Sequence, residues 1–240
     1  MTKKVVFITG GTSGIGLALA EAFLRTGASV AVCARSRTAL ENFRAAHPQA
    51  LAIEADVTDV SAQYTALNAV AERFQRLDIL VNNAGRLIER DFAHEVQTPT
   101  ALADDITLNL IAPIQLTAAT LARWPSLEAI VLVSSGYALV SPRRAPTYGA
   151  AKAGLHGFAD GLRRQLADRG TQVVEVLPPT VDTPATVHSK AKKIAPADVA
   201  AATLEALEKR RPMALVGQTK LLPMMLRLAP RTVQRMVAEA

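Results

Sequence analysis

Short unbroken apolar runs alternate along this chain with longer stretches whose apolar residues recur at every third or fourth position. Val5-Val6-Phe7-Ile8 reads as a strand buried on both faces, and Gly16 to Arg25 as an amphipathic helix closed by Gly27. The pair repeats: a strand from Ser29 to Ala34 with a helix from about Arg37 to His47, then a strand from Leu51 to Glu54 with a helix from about Ser61 to Arg76. Asp78 to Val81 is a fourth strand that runs into Asn82-Asn83-Ala84-Gly85. A helix near Thr100 to Arg123, bent by Pro113, leads to the strand Ala129 to Val133. Tyr148 to Arg169 is the next helix and Gln172 to Leu177 the sixth strand; a helix from Pro196 to Arg210 and a last strand from Met213 to Val216 follow. Continuous Val/Ile/Leu strands separated by amphipathic helices specify a parallel sheet covered on both faces. There is no internal repeat, low-complexity tract or linker. Residues 1–240 are therefore expected to form one doubly wound α/β domain around a seven-stranded parallel sheet.

Composition adds less. Half the residues are hydrophobic, and 240 of them suit one domain with a full core on both sides of a sheet. No run reaches the ~18 consecutive apolar residues of a membrane span, and Met1-Thr2-Lys3-Lys4 leads straight into the first strand without a secretory h-region. The single cysteine, Cys33, excludes a disulfide within the chain, and no metal site is expected. These features point to a soluble cytoplasmic protein. Charge is uneven, with a net −2 over residues 1–134 and +8 over residues 135–240. The basic half suits an anionic lipid, an acidic protein partner or a merely solvated surface. Aromatics at 4% are too scarce for base-stacking platforms, so nucleic acid is not expected.

Two stretches carry chemistry. Thr9-Gly10-Gly11-Thr12-Ser13-Gly14-Ile15-Gly16 joins the first strand to the first helix, where glycines let backbone N–H groups approach a pyrophosphate at the helix N-terminus. Tyr148 and Lys152 stand four residues apart on one helix face, where an ammonium can bias a phenol whose free pKa is about 10. Ordinary dinucleotide folds space their glycines G-x-G-x-x-G, whereas this loop reads T-G-x-x-x-G-x-G.

That spacing resembles the short-chain dehydrogenase/reductase family, and the likeness extends over about residues 4–183. The resemblance implies a Rossmann fold and places Gly10, Thr12, Ser13, Gly14, Ile15 and Gly16 on the cofactor phosphates. Asp56 and Val57 look like the family's adenine-contacting pair, and Asn83, Ala84 and Gly85 belong to its N-N-A-G motif. Asn109, Ser135, Tyr148 and Lys152 match its catalytic tetrad in order and spacing. It also implies a homodimer or homotetramer built on the long helices around 100–123 and 148–168.

In dinucleotide folds that take NAD, an acid near the end of the second strand bonds the ribose 2′-OH. Here Ala34 stands at that position and Arg35 follows it. A guanidinium pairs with a 2′-phosphate, and the Ser36 hydroxyl can assist. The cofactor is therefore expected to be NADP(H), with Arg35 as main determinant and Arg37 either a helper or a solvated first residue of the next helix. Tyr148 would act as proton donor in reduction and base in oxidation, its phenol made more acidic by Lys152 together with the positive nicotinamide ring; Lys152 would also hold the nicotinamide ribose. Ser135 would hydrogen-bond the carbonyl oxygen, while its neighbour Ser134 points to the opposite face. Asn109 would keep its helix locally open and hold a water relaying protons from Lys152.

The pattern breaks after the sixth strand. Where the family has Pro-Gly followed by a threonine, this chain has Pro178-Pro179-Thr180-Val181-Asp182-Thr183. Pro178 and Thr183 match, the latter as a contact of the nicotinamide carboxamide, but Pro179 locks φ near −65° where glycine is free. Pro-Pro-x-Val-Asp-Thr resembles a DltE-like subgroup. The segment from Pro184 to Ala195 that normally caps the substrate is short and basic, with Lys190, Lys192, Lys193 and a solvated His188. It either is a solvated loop or meets an anionic group such as a phosphopantetheine arm. A basic amphipathic tail occupies about 218–240, split into two short helices by Pro223 and Pro230, with Val233, Met236 and Val237 on one side of the second. It packs on the core or a partner subunit, forms a lid over an acyl substrate, or lies on an anionic membrane.

The reading is a metal-independent NADP(H) oxidoreductase acting on a carbonyl/secondary-alcohol substrate. A 3-oxoacyl carrier or thioester reductase is the alternative within enzymes, with acyl carrier protein as a further candidate partner. A non-catalytic NADP(H)-sensing or scaffold protein is the alternative outside them.

Overall fold

In the computed structural model, which describes residues 3–238, strands and helices alternate from the first described residues onward. They are β1 (Val5–Thr9), α1 (Gly14–Arg25), β2 (Ser29–Ala34), α2 (Arg37–Ala46), β3 (Leu51–Glu54), α3 (Val60–Phe74) and β4 (Ile79–Asn82). Then come α4 (Pro99–Ile106), α5 (Ala112–Arg123), β5 (Ala129–Val133), α6 (Pro146–Gln165), β6 (Gln172–Leu177), α7 (Pro196–Glu208), β7 (Met213–Leu215), α8 (Leu222–Leu228) and α9 (Pro230–Ala238). Met1, Thr2, Glu239 and Ala240, which the sequence reading assigned to the start and the tail, lie outside the described residues.

All seven strands pair in parallel, in the order β3-β2-β1-β4-β5-β6-β7. Alternate strand residues feed two cores: Val6 and Ile8 face α1, α2 and α7, while Val5 and Phe7 face α3, α5 and α6. This two-faced burial is why the strands read as unbroken apolar runs. The order reverses between β1 and β4, and a crevice opens there at the strands' carboxyl ends, the usual place for a ligand in such sheets.

The strands fall within a residue of their expected limits, and the helices differ at their ends. The third helix stops at Phe74 because Gln75 turns left-handed, with φ 58°, and the seventh stops at Glu208 before Arg210 at φ 49°. The expected bend at Pro113 is instead a π-helical turn, Thr107–Ile111, between α4 and α5, in which the Ala112 N–H bonds Thr107 O. Proline has no N–H to offer the carbonyl one turn back, so the ladder widens where that bond is missing. The span Pro99–Arg123 is apolar and long enough to cross a bilayer by composition alone. Here it packs against the sheet through Ala112, Leu116, Thr117 and Thr120.

Pro223 and Pro230 each sit in the first turn of a tail helix, as expected. Val233 is buried, but Met236 is 57% exposed, so it does not share the inward face expected of it.

Candidate active site

The loop between β1 and α1 is held open by its own backbone. Gly10 and Gly14 have φ of +65° and +52°, a region that favours glycine. A Cβ on Gly16 would fall 2.2 Å from Gly10 O and 2.5 Å from Asn83 Nδ2. Ser13, at the start of α1, makes no side-chain cap and the first turn carries no acid, so its N–H groups face the crevice unpaired. These are the features a pyrophosphate needs, and the cradle fits one. Asn83 has a structural part of its own. Its Nδ2 donates to Thr9 O (2.8 Å) and Gly10 O (3.2 Å), so it braces the loop from the end of β4. Thr9, which sequence reasoning passed over, completes that brace by accepting from the N–H groups of Asn83 and Ala84.

At the end of β2, Arg35 reaches Asp56 at 3.5 Å and stays 65% exposed at its side chain. Burial pushes the Asp56 carboxyl up, but hydrogen bonds from Thr58 and the charge of Arg35 outweigh it and hold the group below its ordinary range. Val57 packs beside it on the core under α3 and α5. Arg37 behaves differently: as the first residue of α2 it turns to Glu54, with Nε at 3.1 Å from Oε2. Ser36 Oγ accepts from Ala39 N to cap the same helix. Arg35 thus pairs with Asp56 beyond the end of β3, and Arg37 with Glu54 on β3 itself.

Three parts of the fold, the π-turn, the end of β5 and α6, bring Asn109, Ser135, Tyr148 and Lys152 together. The π-turn carries Asn109, which is buried and gives Nδ2 to Arg86 O (2.9 Å) and Asp105 O (3.0 Å) while accepting from Arg86 N (3.1 Å). The expected opening of the helix is therefore real. Both the Asn109 amide oxygen and Lys152 Nζ lie near Gly85, at 2.8 Å and 3.4 Å from where a Cβ would stand. Lys152 is 4% exposed, donates to Val133 O at 2.9 Å, and has its Nζ 5.6 Å from the centre of the Tyr148 ring. Ser135 lies two residues beyond β5, accepts from Tyr137 N, and stands beside Tyr148, where it favours the phenolate. Ser134 is turned away, as expected, with its hydroxyl buried and without a protein partner.

The protein's own groups do not by themselves acidify the phenol. Burial pushes the Tyr148 phenol up to about 12; the Ser135 hydroxyl opposes this and nearby Tyr137 adds to it. The phenol is less acidic than a free one, not more, because desolvation disfavours the phenolate and Lys152 stands over the ring rather than at the oxygen. Burial also pulls the Lys152 ammonium down to about 8, against the Glu175 carboxylate, which raises it.

The remaining wall comes from the loop after β6. Gly136 N donates to Pro178 O at 3.1 Å. Pro179 packs beside Gly217, which has φ +57°; a Cβ there would make an ordinary contact, 3.5 Å from Pro179 Cγ. A parallel bridge between Val181 and Ile194 pins the loop, and Thr183 rests against Gly14, its Cγ2 within 2.9 Å of a Cβ there. Thr183 therefore borders the glycine loop. His188 is exposed, as expected of a solvated residue. The tail reaches the same region: Thr219 Oγ1 donates to Leu177 O at 2.6 Å, and Thr219 and Leu222 lie 3.0 and 3.6 Å from a Cβ on Gly136.

Known proteins share this arrangement. The sequence model of the short chain dehydrogenase family matches residues 4–194. The uncharacterized oxidoreductase DltE of Bacillus subtilis (strain 168) is 38% identical over 196 residues, covering 80% of this chain and 77% of that protein. A short-chain dehydrogenase from Streptomyces avermitilis superposes with a TM-score of 0.84 at 30% identity, over 99% of this chain and 96% of its own. A short chain dehydrogenase from Burkholderia cenocepacia J2315, solved in complex with NADP, gives 0.86 at 26% identity over 98% and 97%. From its glycine cradle to its DltE-like Pro-Pro loop, the chain belongs to the short-chain dehydrogenase family.

Proposed function

We propose that the protein is an NADP(H)-dependent reductase of a ketone or aldehyde, with Tyr148 as proton donor. The observation that carries this reading is the buried Lys152 ammonium beside Tyr148, close to an uncapped helix N-terminus. When bound, NADPH supplies the hydride. Tyr148 gives its proton to the substrate oxygen, and a phenol pushed up to about 12 is protonated throughout the neutral range, as an acid catalyst must be. Ser135 donates to the same oxygen as negative charge develops there. Lys152 stabilises the phenolate left behind and is recharged from solvent along the Gly85–Asn109 side. The neighbouring Leu222 and Thr219 support the tail as a wall of the substrate space. NADPH consumption over ketones, aldehydes, sugars, steroids and acyl thioesters tests the reading. NADPH binding without oxidation of any of them rejects it in favour of a sensing or scaffold protein.

Arg35 supports the choice of NADP(H). Arg35→Ala is expected to weaken NADPH by about thirtyfold, the worth of a charged hydrogen bond of about 2 kcal/mol, and to leave NADH affinity unchanged. Equal loss of both cofactors would make Arg35 merely the partner of Asp56. The pH profile follows from Lys152. Its ammonium, pulled down to about 8, is charged below that pH and lost above it. kcat/KM for reduction should therefore be flat through neutrality and fall as pH rises past about 8; a profile flat to pH ~10 removes Lys152 from the mechanism.

A further inference from the structure

We propose that Glu175, steadied by His156, is a positioning residue that keeps the Lys152 ammonium charged and aimed into the site. The inference rests on the role of Lys152 given above.

Glu175 interrupts the apolar run of β6, Val173-Val174-Glu175-Val176-Leu177. Strand alternation turns it to the same face as Val173, toward α6, and away from Val174 and Val176. It is 1% exposed. Its strand neighbours in register, Leu132 on β5 and Met213 on β7, are apolar. His156 of α6 meets it, with Nδ1 2.7 Å from Oε2, and Lys152, one helical turn earlier on the same helix, lies beyond ion-pair distance but within reach of its charge. The other carboxylate oxygen, Oε1, is buried without a hydrogen-bond partner.

A carboxylate in that position needs a compensating cation, and Lys152 needs a compensating anion. Lys152 is itself nearly sealed and has only the Val133 carbonyl as a protein hydrogen-bond acceptor among the described residues. Burial drives it toward the neutral amine, and Glu175 is the charge that opposes this. Tyr148, Lys152 and His156 are spaced by four along α6, so the phenol, the ammonium and the imidazole form one stripe over the carboxylate. His156 is 38% exposed at its side chain, and its hydrogen bond to Oε2 leaves Oε1 as the oxygen free to face the lysine. A structural salt bridge needs no particular oxygen left open; a charge-holding group does.

The test reads the lysine directly. Protein labelled at lysine Cε is titrated by NMR, with the Lys152 signal assigned by its disappearance in Lys152→Met. In the wild type the midpoint lies near 8. In Glu175→Gln it should fall by about one unit, and in Glu175→Met likewise, whereas Glu175→Asp should restore part of the difference. The upper limb of the reduction profile should move to lower pH by the same amount. An unchanged Lys152 midpoint in folded Gln and Met variants overturns the proposal. If the protein reduces no carbonyl, the functional reading fails while the lysine titration still decides this one.

Discussion

Tyr148→Phe lowers kcat for carbonyl reduction by about a thousandfold while NADPH affinity stays within about threefold of wild type. The substitution removes one oxygen and nothing else that packs. The ring keeps its edge-on contact with Tyr137, at 6.4 Å between centroids, and its place under the Lys152 ammonium. Helix α6 has no reason to move, because Tyr148 lies in its first turn and the buried contacts of the helix come from Gly149, Ala151, Lys152, Leu155, Ala159 and Leu162. What disappears is the proton donor. Ser135→Ala should cost less, about a hundredfold, since it removes a donor to the oxygen and leaves the acid in place. Steady-state kinetics with cofactor fluorescence titration separates the two effects. Near wild-type turnover in Tyr148→Phe would reduce Tyr148 to a satisfied aromatic of the crevice wall.

Gly16→Ala should abolish cofactor binding at any practical concentration and lower stability by about 3 kcal/mol. Its Cβ would press on two atoms that cannot yield: the Gly10 carbonyl, at 2.2 Å, belongs to the backbone of the cradle, and Asn83 Nδ2, at 2.5 Å, is the brace. Relief means moving the loop off Asn83 and away from the N-terminus of α1, which destroys the geometry that presents the N–H groups. For a chain of this size that loss corresponds to a melting temperature lower by about 10 °C. Gly27→Ala serves as control, since a Cβ there meets nothing within 4 Å, although its φ of +84° brings local strain. A Gly16→Ala protein that binds NADPH normally would mean that the loop does not carry the cofactor phosphates.

The sheet was legible because a strand buried on both faces leaves an apolar run, and β1, β2 and β5 are such runs. The glycine loop and the residues at 109, 135, 148 and 152 were legible because their chemistry depends on spacing along the chain. Partners distant in sequence were not. Nothing near Asn83 indicates that its amide is taken by Thr9 and Gly10, some 70 residues earlier. Arg35 and Arg37 look equivalent as a pair, yet the start of α2 turns one to Asp56 and the other to Glu54. What the fold itself does to Tyr148 was hidden for a related reason: a charge four residues away is visible in sequence, and desolvation by the whole fold is not. Glu175 was hidden differently, as one polar letter within an apolar strand whose facing residues only the sheet register reveals.

The most direct test of the account is to follow label from NADPH deuterated at the nicotinamide C4 into product. With a carbonyl substrate found in the panel, the account predicts deuterium on the carbinol carbon, with transfer slowed about a thousandfold in Tyr148→Phe. Cofactor consumption that leaves the carbinol carbon unlabelled, or equal transfer rates in the two proteins, would contradict it.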